Sequence, residues 1–153
     1  VQARCLTFFT VSACFILRVV AVDGVVDIGG CALPRVERLR GKRRIDRLFA
    51  EGKGVLVYPF RCVFVANGET DSVSVLFSVP KKRFKRAVKR NLLRRRMKEA
   101  YRLNKRKLVS AVNGRGLDLA LMYIGNDVAE FGFVQNRLSS LLDKVCSKLD
   151  ARE

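Results

Sequence analysis

The chain has 153 residues, 49% of them apolar and 29% charged, with 31 Lys and Arg against 14 Asp and Glu and a formal net charge of +17. That apolar content excludes wholesale disorder, and the length suits a single folded domain. The positive balance, with no acidic block to offset it, points to a polyanionic partner: nucleic acid first, an anionic membrane surface second. The chain contains no His, so the usual general base is missing, and no pair of carboxylates stands at a suggestive spacing. Cys5, Cys14, Cys31, Cys62 and Cys146 are odd in number, scattered and never in a CxxC pair. These spacings do not suit zinc, and reduced thiols in a cytoplasmic protein are expected.

Residues 1–33 are apolar and rich in Ser, Thr and Cys, and basic residues begin abruptly at Arg35. Leu6 to Leu17 has the look of a signal-peptide core with Arg4 ahead of it. Arg18 and Asp23 interrupt it before the roughly 20 apolar residues that a membrane span needs. A basic body with unpaired thiols matches export poorly. Residues 1–33 are therefore read as a non-essential N-terminal extension or an upstream start assignment, followed by one domain at 34–150.

From Gly41 to Gly52 the pattern predicts a short helix, with Ile45, Leu48 and Phe49 on one face and Lys42, Arg43, Arg44 and Arg47 on the other. Val55–Tyr58 and Phe60–Ala66 read as strand, interrupted at Pro59, which belongs at an edge or bulge. Asn67-Gly68 signals a turn, and Ser72–Val79 alternates as a further strand. Residues 117–124, LDLALMYI, form a compact apolar strand after a loop at Asn113, Gly114 and Gly116. Asp127 is the expected cap of a last helix, in which Phe131, Val134, Leu138, Leu141, Val145 and Leu149 recur at three- and four-residue steps. The fold class is α/β, an α+β sandwich of one small sheet and packed helices.

Between Lys81 and Lys107 lie fifteen Lys and Arg against one acid, Glu99. A solvated tail would lack apolar periodicity, and this stretch has it. On a helix of about 100° per residue, positions 88–108 separate into two arcs. Leu92, Leu93, Met97, Ala100, Tyr101, Leu103 and Leu108 fall on one side, with Arg96 intruding. Asn91, Arg94, Arg95, Lys98, Arg102, Lys105 and Arg106 fill the other. Asn is a poor helix former, and its place in a cationic stripe favours recognition over mere solvation. Among the aromatics, Phe60 and Phe64 share a strand face and Phe49 lies on the first helix. Core packing is their default, and stacking of an unpaired nucleotide strand is the alternative.

These residues resemble the protein subunit of bacterial ribonuclease P. Its signature is a strand ending in Val-Ser-Lys-Lys, a short loop, then Ala-Val-x-Arg-Asn-Arg entering a helix with paired basic residues and Arg-Glu-Ala-Phe/Tyr-Arg. Here stand Val79-Pro80-Lys81-Lys82, Ala87-Val88-Lys89-Arg90-Asn91, Arg94-Arg95 and Lys98-Glu99-Ala100-Tyr101-Arg102. Arg38-Leu39, Ile45, Phe49 and Gly52 match the family's first helix, and the resemblance spans about residues 35–149. Two departures stand out. Leu92 replaces the second Arg of Arg-Asn-Arg, which leaves one expected RNA contact without its arginine, though Arg94 and Arg95 are near enough to compensate. The loop Arg83–Arg86 is a residue longer than common versions and lacks their Gly, which bears on how Lys81 and Lys82 are aimed.

The resemblance implies an α-β-β-β-α-β-α chain with a central four-stranded sheet and a left-handed βαβ crossover, against the usual right-handed rule. It implies an RNA-binding subunit of an endoribonuclease whose catalytic RNA, using Mg²⁺ held mainly by that RNA, removes the 5′ leader from precursor tRNA. No catalytic residue is then expected on the protein, and no obligate protein partner or membrane. Lys81, Lys82, Arg90, Asn91, Arg94, Arg95, Lys98 and Arg102 are the expected RNA contacts. Ile45, Phe49, Phe60 and Phe64 are the candidates for a leader-binding groove. A structural RNA-binding protein, a DNA-binding module and a membrane-surface protein are the rival readings. The last two lack a recognition-helix pair and a spare apolar helix face, respectively.

Overall fold

The computed structural model describes residues 33–68 and 72–150. The expected extension falls outside the described residues except for Leu33, which is buried in the core. Along the described chain run α1 (Lys42–Glu51), β1 (Lys53–Val57), β2 (Phe60–Asn67), β3 (Val73–Ser78), α2 (Ala87–Val112), β4 (Gly116–Tyr123) and α3 (Phe131–Asp150). The strands form one mixed sheet in the order β1-β2-β4-β3. β1 and β2 are an antiparallel hairpin in which Val57 pairs with Phe60, so Pro59 sits in the turn rather than at a bulge. There its missing N–H removes nothing from the ladder. β3 and β4 are parallel neighbours, and α2 is the crossover that parallel pairing requires.

Strand alternation divides the apolar residues between two faces. Phe60, Cys62 and Phe64 of β2, Val73 and Val75 of β3, and Leu117, Leu119, Leu121 and Tyr123 of β4 join one large core with α2 and α3. The opposite phase supplies Val63 and Ala120, which with Leu39 and Leu48 form a second, small core under α1. The described domain is therefore three-layered: α1, sheet, then α2 and α3. β4 is central and nearly all apolar because both of its faces are covered.

Close approach and charge together fix α1. A side chain at Gly52 would lie 2.4 Å from a Val63 methyl and 2.1 Å from the Leu48 carbonyl oxygen, so the helix can end against β2 only with Gly there. At the other end Arg44 donates to both Asp118 carboxylate oxygens, at 2.5 and 3.2 Å, and to Ser74 Oγ at 3.2 Å. Asn67 Nδ2 lies 3.4 Å from the same carboxylate. Asp118 is a charge on a buried strand, and this two-pronged partner is what lets it stay there. Nearby, Leu39 N–H donates to Val75 O and Val75 N–H to Glu37 O, which covers the outer edge of β3.

In α2 the buried residues are Leu93, Met97, Ala100, Tyr101, Leu108 and Val112. The helix ends at Asn113, whose φ of 49° is the left-handed cap that Asn tolerates. The predicted apolar arc was too wide: Leu92 and Leu103 are 41% and 47% exposed. At about 100° per residue both lie more than 100° from Met97, beyond the stripe that the sheet and α3 can cover. The intruding Arg96 has a structural role, donating through Nη1 to the Ala129 carbonyl just before α3. Asp127 does not cap α3. The helix starts at Phe131, with Val134 N–H bonded to Glu130 O, while the Tyr123 hydroxyl donates to Asp127 O at 2.6 Å and keeps that residue in the preceding loop.

Candidate nucleic-acid interface

The inward stripe of α2 anchors the helix, and the cations are left on the outside. Asn91, Arg94, Arg95, Arg102 and Arg106 are exposed and Lys98 is half-buried. Arg94, Arg95, Lys98 and Arg106 have no ion-pair partner among the described residues, whereas Lys105 pairs with Glu37 and Lys107 with Asp143. Arg102 makes a two-pronged contact with Glu99, at 2.6 and 3.0 Å, and this hydrogen bond holds the Glu99 carboxyl below its usual range. The ridge is thus a row of mostly unneutralised charge on a rigid rod, which is the electrostatic footprint of a polyanion site.

The loop between β3 and α2 is stapled rather than loose. Phe84 is buried and its ring centroid lies 5.9 Å from that of Tyr123. Arg83 donates to the Ile124 carbonyl and, at 2.7 Å, to Asn126 Oδ1. Arg90 Nη1 donates to the carbonyls of Phe84 and Lys85 at 2.7 and 2.6 Å. Phe84 therefore anchors this loop in the core, and Lys81 and Lys82 stay exposed. Among the eight expected RNA contacts, Arg90 is engaged with the protein's own backbone.

The groove candidates separate. Ile45 packs half-buried on the small core, and Phe49 is 48% exposed. Phe60 and Phe64 are 0% and 1% exposed and lie on the opposite face of the sheet, beneath α2 and α3, so they cannot line a groove beside α1. The reason is phase: in β2 the positions facing α1 are Arg61, Val63 and Val65. The register brings Leu56, Arg61, Met122 and Ser78 into one row across all four strands on that face. Leu56 and Arg61 are exposed and Met122 and Ser78 half-buried, so the row forms an open floor beyond α1. The alternation of Arg61 with the phenylalanines was the available signal for this.

Among the described residues no three His, Cys, Asp or Glu gather closely enough to hold a metal ion. No described helix is long and apolar enough to cross a membrane.

A mixed sheet with a short helix on one face and a long, outwardly cationic helix on the other defines a small α+β RNA-binding protein. Residues 33–145 match the family model described as Ribonuclease P. The chain is 36% identical over 121 residues to the ribonuclease P protein component of Porphyromonas gingivalis, covering 76% of this chain and 88% of that one. It is 41% identical over 86 residues to that of Chlorobaculum tepidum, covering 53% and 56%. Among solved structures, the RNase P protein from Thermotoga maritima superposes with a TM-score of 0.59 at 28% identity, covering 71% of this chain and 96% of that chain. The Staphylococcus aureus RNase P protein, at 22% identity and a TM-score of 0.61 over 71% and 94%, shares the fold. The chain belongs to the ribonuclease P protein family. Proteins of this family are the RNA-binding subunit of the ribonuclease P ribonucleoprotein, which is an endoribonuclease as the holoenzyme with its RNA subunit.

Proposed function

We propose that this chain assembles in the cytoplasm with a ribonuclease P catalytic RNA through the outer ridge of α2, and that it holds the 5′ leader of precursor tRNA beside α1. The observation that carries this is the row of exposed, mostly unpaired cations on a helix whose other face is sealed in the core. Lys81, Lys82, Arg94, Arg95 and Lys98 neutralise RNA phosphates and release counterions, while Asn91 supplies a directional hydrogen bond to a base, a 2′-hydroxyl or the backbone. Arg102 joins them by exchanging Glu99 for a phosphate, and Arg90 acts by holding the basic loop in place. Ile45 and Phe49, with Met122 and Leu56, offer an apolar surface to unpaired leader nucleotides. The Mg²⁺ that serves hydrolysis belongs to the RNA, and the protein favours its binding by reducing phosphate repulsion. Residues 34–150, with Leu33 packed into their core, are the working domain, and residues 1–32 an extension it does not need.

The test is reconstitution of the chain with bacterial ribonuclease P RNA at low Mg²⁺. Faster leader removal than with RNA alone is expected, and no stimulation rejects the proposal. Phe49→Ala is expected to reduce the preference for leader-bearing precursor over mature tRNA while circular dichroism shows an intact fold.

A further inference from the structure

Two cavities adjoin where β4 gives way to residues 124–130. Each measures about 330 Å³, at the lower end of the range for small-molecule sites. One is walled by Lys82, Lys85, Arg86 and Lys89, with Phe84 and Asp127. The other is walled by Tyr58, Pro59, Tyr123, Phe133, Asp127 and Glu130. They share Asp127, and the Phe84 ring of the first touches the Tyr123 ring of the second. Neither lies on the outer ridge of α2, and the aromatic one uses none of the residues beside α1.

Their chemistries are complementary halves. The first gathers five cations, Arg83 among them, none in an ion pair among the described residues, and suits a phosphate. The second offers three aromatic rings with two carboxylates, a poor place for phosphate and a good one for a flat ring bearing N–H donors. We propose that the pair takes one unpaired nucleotide of an RNA partner. Its phosphate lies among Lys82, Lys85, Arg86 and Lys89, and its base against Tyr58 and Phe133. The exocyclic amino group of that base donates to the carboxylate of Glu130, which lines the aromatic cavity alone. This rests on RNA being the partner, as proposed above, and adds a site and a base preference to it. Cytosine, adenine and guanine carry such an amino group and uracil does not, so uracil is disfavoured.

The walls are already set. The Tyr123 hydroxyl is bonded to Asp127 O at 2.6 Å, and the ring meets Phe60 edge-on at 5.5 Å. Arg83 ties the basic loop to Ile124 and Asn126. Gly125 passes so close that a side chain there would come within 2.9 Å of the Tyr123 ring. The Arg137 guanidinium lies 5.2 Å from the Phe133 ring centroid and gives that ring a partner. Tyr58, 61% exposed, and Phe133, 42% exposed, are the surfaces left for stacking.

The test is equilibrium binding of the full chain to single-stranded oligocytidylate and oligouridylate, in parallel with the reconstitution described above. Oligocytidylate is expected to bind more tightly. Tyr58→Ala should weaken it roughly five- to hundredfold, the worth of one lost base stack, with the salt dependence unchanged. Lys85→Ala and Lys89→Ala should each flatten the salt dependence by about 0.7 in log–log slope. Glu130→Ala should erase the preference for cytosine over uracil. Tyr58 lies in an exposed turn and Glu130 contributes a backbone carbonyl to α3, so neither truncation threatens the fold. Parent-like affinity and base preference in both Tyr58→Ala and Glu130→Ala overturns the site. If the parent chain still stimulates leader removal, only this site falls; if it does not, the functional proposal falls on its own.

Discussion

On the side of the sheet facing α2 and α3, Phe60, Phe64, Tyr101 and Tyr123 are sealed from solvent in one continuous core. On the side facing α1 the buried apolar cluster has only four residues, one polar clamp holds the helix, and a row of side chains stays reachable. The two faces have the same strands and the same alternation, yet one is closed and the other half-open. The difference teaches where this small protein places its stability and where it leaves room to bind. A ten-residue helix cannot cover a four-stranded sheet, and what it leaves uncovered is a mixed row, Leu56, Arg61, Met122 and Ser78, available to a partner.

Substitutions at two phenylalanines would break that contrast most directly. Phe64→Ala removes a fully buried ring and is expected to cost about 3–5 kcal/mol in chemical denaturation. Phe49→Ala, on the open side, should cost less than about 1 kcal/mol because the ring is already half in water. Equal losses would mean that the faces are not different in kind. Next in size is the clamp: Arg44→Ala leaves the Asp118 carboxylate buried without its guanidinium and should cost on the order of 3 kcal/mol. Pairing it with Asp118→Asn should recover part of that loss in a double-mutant cycle.

The outer ridge of α2 predicts the opposite behaviour. Arg94→Ala and Arg95→Ala should leave the melting temperature within a degree or two, since surface changes rarely exceed about 0.5 kcal/mol. Each should lower the log–log salt slope of RNA binding by roughly 0.7–0.9. A large stability loss at either position would place it in the fold instead. Smallest is Glu99→Gln. The hydrogen bond from Arg102 depresses the folded carboxyl, so its contribution is present above the ordinary glutamate range and fades as pH falls through the lowered folded value. For an exposed pair three residues apart, a few tenths of a kcal/mol is expected. The pH dependence of the melting curve, compared between parent and variant, measures it.

The order of elements, the cationic ridge of α2 and the apolar face of α3 were legible in residue order, because helix periodicity and turn residues act over a few positions. The misread features share a cause. Phe60 and Phe64 could be placed together on one face of β2, but strand alternation is symmetric and does not say which face receives two helices and which receives one. Leu92 and Leu103 sit at the edge of an arc whose true width depends on how closely α3 approaches. Asp127 has the chemistry of a helix cap, and the hydroxyl of Tyr123, reaching back from β4, keeps it out of the helix.

Charge, periodicity and the family motif thus specified what kind of protein this is and which cations line the outer ridge of α2. Chain path alone brought Arg44 to Asp118, 74 residues away, and set a basic loop beside an aromatic hollow. Local preferences are written in neighbouring residues, whereas contacts across such separations exist only once burial of the shared core has offset the entropy of ordering the chain between them.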